Sequence, residues 1–220
     1  MRHIKAFSFA TGTVLVVMAF IGLSSASAVK LCDVAGTGET CPTGKAYAPR
    51  NLKAVLDTGT KLELIGALTT RCEQSTLFGK NKQESGSPYL GELSTFSLLG
   101  EDCNKSCDSV TALNLPYKFE ITPVPGDGNK DGEVTVSKES AGPPIVKMEK
   151  CGFFEPICEF TATGSSFTLK LVGGNPAKLI ANDIVFKYTG GTSEAACGMT
   201  VKLKATWKFT EPTAVFVTKM

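Results

Sequence analysis

From Cys197 to Thr210 the chain alternates without a break. The odd positions are Cys197, Met199, Val201, Leu203, Ala205, Trp207 and Phe209, and the even ones are Gly198, Thr200, Lys202, Lys204, Thr206, Lys208 and Thr210. Successive side chains of a β-strand point to opposite faces, so this pattern predicts one long strand with a dry odd face and a wet, lysine-bearing even face. The single Trp of the chain lies on the dry side. A strand of that length needs partners, and the rest of the sequence offers mainly strands.

Short alternating runs broken by turn residues begin at Asn51. Leu52 to Leu56 and Lys61 to Leu68 flank Asp57-Thr58-Gly59-Thr60, which reads as a hairpin. In Tyr89 to Leu99, Leu93 and Phe96 can share a face only across a bulge. Tyr117, Phe119 and Ile121 alternate with polar residues, as do Phe167, Leu169 and Leu171. Ile180, Ile184, Phe186 and Tyr188 are expected on one side of a strand over Lys178 to Tyr188. Nowhere do apolar residues recur at helical spacing over three turns. The expectation is an all-β fold: a single antiparallel β-sandwich, jelly-roll-like or related, stapled by disulfides. An immunoglobulin-type core would place the Trp between paired cysteines, whereas Trp207 follows Cys197.

Three segments are expected: a signal peptide over 1–28, a disulfide-closed N-terminal arm over 29–50 and the β domain over 51–220. Arg2 and Lys5 precede an apolar run from Phe7 to Leu23, and Ser24-Ser25-Ala26-Ser27-Ala28 ends in the small-x-small pattern of a signal-peptidase site. The run is too short and too interrupted for a retained anchor, and no other segment reaches membrane-spanning length. The expected location is secreted or extracellular, with envelope association as an alternative. Cleavage would remove two of the 23 basic residues, leaving 21 against 21 acidic ones. A neutral chain gives no reason to expect a nucleic-acid partner. His3, the one histidine, would go too, so a Ser-His-Asp or Cys-His site and a histidine-containing zinc site are excluded from the mature chain. No cofactor is expected.

All eight cysteines follow the leader, and an even count in an exported chain reads as a disulfide framework. Short loops close most easily, which suggests Cys32–Cys41, Cys103–Cys107 and Cys151–Cys158, leaving Cys72–Cys197 as a long-range staple.

The order of features, from TRCEQSTLFGK through ALNLPYKFEI and KCGFFEPICEFTATG to CGMTVKLKATWKF, resembles a family of exported proteins of high-GC Gram-positive bacteria. Its members carry a C-x2-S-x-L-x-G segment, here Cys72 to Gly79, and an N-L-P-[WY] segment, here Asn114 to Tyr117. The resemblance implies export and a β fold; the family has no assigned activity.

Five features invite a functional reading. Asp127, Asn129 and Asp131 with Gly132 open a D-x-[DN]-x-[DN]-G calcium loop, but position 12 is Lys138 rather than a bidentate carboxylate, and an acidic hairpin turn reads equally well. Asp57-Thr58-Gly59 after Val55-Leu56 matches one half of an aspartic-protease pair, and a hairpin loop as well. Glu155 and Glu159 could form an acid/base pair or sit as solvated carboxylates. Lys202, Lys204 and Lys208 could form an anion stripe or a solvated face that discourages edge pairing. Phe153 and Phe154 either cover the end of the sandwich or leave one ring exposed as a contact surface. The resulting expectation is a non-enzymatic structural or binding module with an unidentified extracellular or envelope partner. The alternatives are a hydrolase with carboxylates gathered from separate strands, or a calcium-binding module.

Overall fold

The computed structural model describes residues 28–34, 41, 46–99, 103, 107–126 and 130–219. Of the expected signal peptide over 1–28, residues 1–27 lie outside them.

Eight antiparallel strands close into a barrel. In ring order they are β15 (Thr200–Glu211), β2 (Asn51–Leu56), β5 (Gln74–Asn81), β7 (Tyr89–Leu99), β9 (Tyr117–Pro123), β10 (Gly132–Lys138), β13 (Ser166–Val172) and β14 (Lys178–Gly191), which pairs back to β15. The all-β, disulfide-stapled expectation holds. The ladder closes on itself, however, so its main core is not enclosed by the two facing sheets of a sandwich. Closure removes the open edges that a flat sheet of this size would expose.

The barrel does not use all of β14 and β15. Leu179 to Ala181 and Trp207 to Phe209 line it, and beyond a register shift at Asn182–Asp183 the same two strands run on as the centre of a second sheet. There β15 pairs β3 (Leu62–Gly66), which pairs β4 (Thr70–Cys72). On the other flank β14 pairs β12 (Ile157–Ala162), followed by β11 (Ile145–Cys151) and β8 (Cys107–Leu113). Asp183 takes a left-handed backbone (φ 54°) at the shift, and the buried positions change from odd to even: Leu179 and Ala181 before it, Phe186 after it. Ile180 therefore faces outward, against expectation, because the two-residue period is reset there.

Across β15 the odd residues Val201, Leu203, Ala205, Trp207 and Phe209 are all buried. Trp207 donates its indole N–H to Ser75 Oγ at 3.0 Å and meets Phe96 edge-on, centroids 6.0 Å apart. Cys197 belongs to a helical turn (Glu194–Cys197) that precedes the strand, and Met199 is exposed. The dry face thus starts at Val201, four residues later than the alternation suggests.

Leu52 to Leu56 and the strand after Gly59 do not form a hairpin. β2 and β3 pair successive stretches of the same partner, β15, so Asp57 to Lys61 is a link from barrel to second sheet. The bulge in Tyr89–Leu99 is present: Phe78 faces Thr95 and Gly79 faces Leu93, which buries both Leu93 and Phe96.

The two family-like segments have structural work. In Cys72 to Gly79, Cys72 is a staple, Ser75 holds the Trp207 indole, Leu77 is core, and a Cβ on Gly79 would collide with the Glu92 carbonyl. In Asn114 to Tyr117, Asn114 turns the chain at φ 67° and its side-chain N–H donates to the Pro143 carbonyl at 2.9 Å. The Tyr117 hydroxyl donates to the Leu113 carbonyl. Burial of the phenol pushes its pKa up to about 12.

The expected arm contributes a core element. Val29–Cys32 (β1) pairs Phe216–Lys219 (β16) and Ser85–Gly86 (β6), and buries Val29 and Leu31 at one end of the barrel.

Four disulfides join Cys32–Cys41, Cys72–Cys103, Cys107–Cys151 and Cys158–Cys197. The expected Cys103–Cys107, Cys151–Cys158 and Cys72–Cys197 bonds are not formed. Strand register overrides loop length: Cys107 and Cys151 face each other across β8 and β11, and Cys158 faces Gly191 next to the turn that carries Cys197. Each of the last three bonds has at least one end on a strand of the second sheet.

Candidate functional site

Of the calcium candidates, Asp127 and Asn129 lie outside the described residues. Asp131 is nearly buried; its Oδ1 accepts the Gly173 N–H at 2.9 Å and its carbonyl accepts the Val124 N–H at 3.2 Å. One carboxylate oxygen is thereby used to tie the β9–β10 connection to the segment after β13. Among the described residues, no three His, Cys, Asp or Glu gather as a metal site.

Asp57 is clamped at the junction of the two sheets. Lys178 and Lys208 face each other across β14 and β15, and their amines reach the two Asp57 oxygens at 2.8 and 3.7 Å. Lys208 also donates to Thr58 Oγ1 at 2.6 Å, and the Thr58 N–H donates to Asp57 Oδ1 at 2.9 Å. The hydrogen bond from Lys178 holds the Asp57 carboxyl below its ordinary pKa. A carboxylate engaged in this way, in a single copy, serves as the clamp on two lysines that would otherwise repel. Because the folded pKa is lowered, the clamp is fully present above the unfolded value of about 4 and is lost as pH falls through the folded one. Asp57→Asn should therefore cost about 1 kcal/mol near pH 7 and almost nothing near pH 2. Urea melts at the two pH values check this; an equal cost at both would rule the clamp out.

Glu155 is exposed in the β11–β12 turn, whereas Glu159 lies on the outer face of β12 opposite Lys147. The lysine row is also divided among local tasks: Lys204 pairs with Asp183 at 3.3 Å and Lys208 with Asp57.

The rim formed by the loops beside Cys151 and Cys197 is different. Antiparallel pairing brings three described connections to this end: 66–69, 151–156 and 192–199. Gly152 and Glu155, both left-handed (φ 63° and 48°), bracket Phe153 and Phe154 at the tip of the β11–β12 turn. Both rings are exposed, at 94% and 85% of their possible surface, and stand edge-to-face with centroids 5.5 Å apart. Of the two readings the covering one is overturned, and both rings rather than one are exposed. Met199, at 72% exposure, and Ile157 are the other exposed apolar side chains in the segments that end here. The turn is rigidly footed. Cys151 bonds Cys107 on one side, and Cys158 bonds Cys197 on the other. The Ile157 N–H donates to Thr192 Oγ1 at 2.9 Å, and the Thr192 N–H donates back to the Ile157 carbonyl at 2.7 Å. Adjacency of two aromatics in a cysteine-flanked turn was the visible signal; Met199 gave none, because its parity placed it inside.

Within the barrel, a cavity of about 50 Å³ is lined only by apolar side chains and Gly79, among them Leu31, Leu77, Phe119 and Val215. A void of that size, lined without polar groups, stays dry and is a packing gap rather than a ligand pocket. A shallower groove outside the barrel runs past Glu133, Lys170 and Asn182. No protein-family model, curated protein or solved structure matches the chain.

Proposed function

We propose that the chain is an exported, non-enzymatic binding module of the cell envelope or extracellular space, and that its contact surface is the stapled rim carrying Phe153 and Phe154. The observation that carries this reading is the near-complete exposure of two neighbouring aromatics on a turn footed by two disulfides. Leaving such rings in water forgoes roughly 1.5–3 kcal/mol each of burial free energy, a cost that an apolar partner would recover. Four disulfides suit an oxidising compartment, and the leader-like segment supplies a route to it. Membership of the exported family that the chain resembles is part of the same proposal.

Fractionation of the native culture tests it. The chain should be found in the envelope or medium beginning near Val29, and Phe153→Ala/Phe154→Ala should lose its envelope association while melting as the parent does. A cytoplasmic chain with an intact N-terminus, or a variant that stays envelope-bound, would overturn the reading.

A further inference from the structure

We infer that the partner of the rim is a lipid surface with electrically neutral headgroups, into which the Phe153–Phe154 tip inserts. This deepens the proposed binding role and rests on it.

The size and shape of the apolar surface come first. Phe153 and Phe154 offer a few hundred Å² of apolar surface at most, a small patch beside the roughly 800 Å² of total surface that each partner of a specific protein complex buries. The surface also protrudes: the turn with residues 152–155 at its tip projects beyond the last strand pairing, Glu149 with Ile157. A protruding apolar tip matches a fluid acyl boundary, which moulds itself to the ring pair, better than it matches a preformed protein face.

Charge then selects the headgroup. The loops 151–156 and 192–199 carry Glu155 and Glu194 and no Lys or Arg, while Lys150, at the foot of the turn, is spent on Asp108 at 3.3 Å. A membrane-binding surface for anionic lipid would carry unspent basic residues at this level. Here anionic headgroups are repelled, whereas a zwitterionic headgroup presents an ammonium to the two glutamates. The same charges disfavour a second copy docked tip to tip. The disulfides on both sides of the turn hold the rings in place beforehand, so little ordering entropy is lost on insertion.

Vesicle flotation of the full mature chain provides the test. The wild type should float with phosphatidylcholine vesicles, undiminished by added salt, and gain nothing when phosphatidylglycerol is mixed in. Phe153→Ala/Phe154→Ala should lower partitioning by about tenfold or more, and Phe153→Leu/Phe154→Leu should largely restore it. Because both rings are exposed, unchanged melting of each variant shows that folding is not the cause. Absence of flotation, equal flotation of the alanine variant, or salt-sensitive binding confined to anionic vesicles would overturn the inference. If the alanine variant loses envelope association but phosphatidylcholine never binds the wild type, the lipid assignment fails and the binding role stands. If the wild type shows neither, both fail.

Discussion

Trp207→Ala should lower the free energy of unfolding by about 3–5 kcal/mol, the range for emptying a large aromatic site in a core. The residue is 1% exposed, meets Phe96 edge-on and sits where β2, β14 and β15 converge. Its loss also leaves the buried Ser75 hydroxyl without the indole N–H. Against a total stability of about 5–15 kcal/mol, the variant would be at the edge of folding at physiological temperature. Trp207→Phe separates the two contributions: it keeps most of the volume, drops the hydrogen bond and should cost about 1–2 kcal/mol. Urea unfolding followed by far-ultraviolet circular dichroism reads both. A midpoint for the alanine variant within error of the parent would show that the site collapses without cost, and the account of the core given above would be wrong.

The second large effect is expected from Cys158→Ser/Cys197→Ser. The bond spans 39 residues, and a loop of that size restrains the unfolded chain by about 4 kcal/mol. Removing it should shift the urea midpoint accordingly and, beyond that global loss, should loosen one foot of the Phe153–Phe154 turn. Amide exchange at Ile157 and Thr192, whose backbones bond each other at this point, should accelerate more than exchange at Ala162, which lies further along the same strand. Uniform acceleration along β12 would show that the staple acts only through the unfolded chain and does not foot the turn.

Much of the strand content was legible because it rests on a local period. The inward residues of β9, β13 and β15 can be read directly from alternation, and the Leu93–Phe96 misfit announces its bulge. What escaped depends on partners far away in the chain. Asp57-Thr58-Gly59 has hairpin chemistry, yet the residues on either side both pair with β15, about 150 positions later, and turn propensity alone cannot separate a reversal from an outward link. Cys32–Cys41 closes the short loop expected of it, whereas Cys107–Cys151 and Cys158–Cys197 follow strand register rather than proximity in sequence. Ile180 and Met199 were misplaced for the same reason: alternation predicts a face only until a bulge or a helical turn resets it. For the rim, the sequence showed two aromatics in a cysteine-flanked turn, but whether they fold inward depends on what lies beneath the turn in the folded chain, which no local pattern encodes.

The β14–β15 hairpin passes through both parts of one continuous core, Leu179 and Trp207 serving the barrel and Phe186 and Val201 the second sheet. Each part has strands of its own but both depend on β14 and β15, so neither can melt alone without stripping a wall from the other. This couples their fates: a load placed on the rim, where the second sheet ends, is carried along two continuous backbones into the barrel instead of being absorbed at a domain boundary. Chemical unfolding should accordingly show one transition by every probe, and a pulling force applied at the tip should meet the resistance of the whole molecule at once.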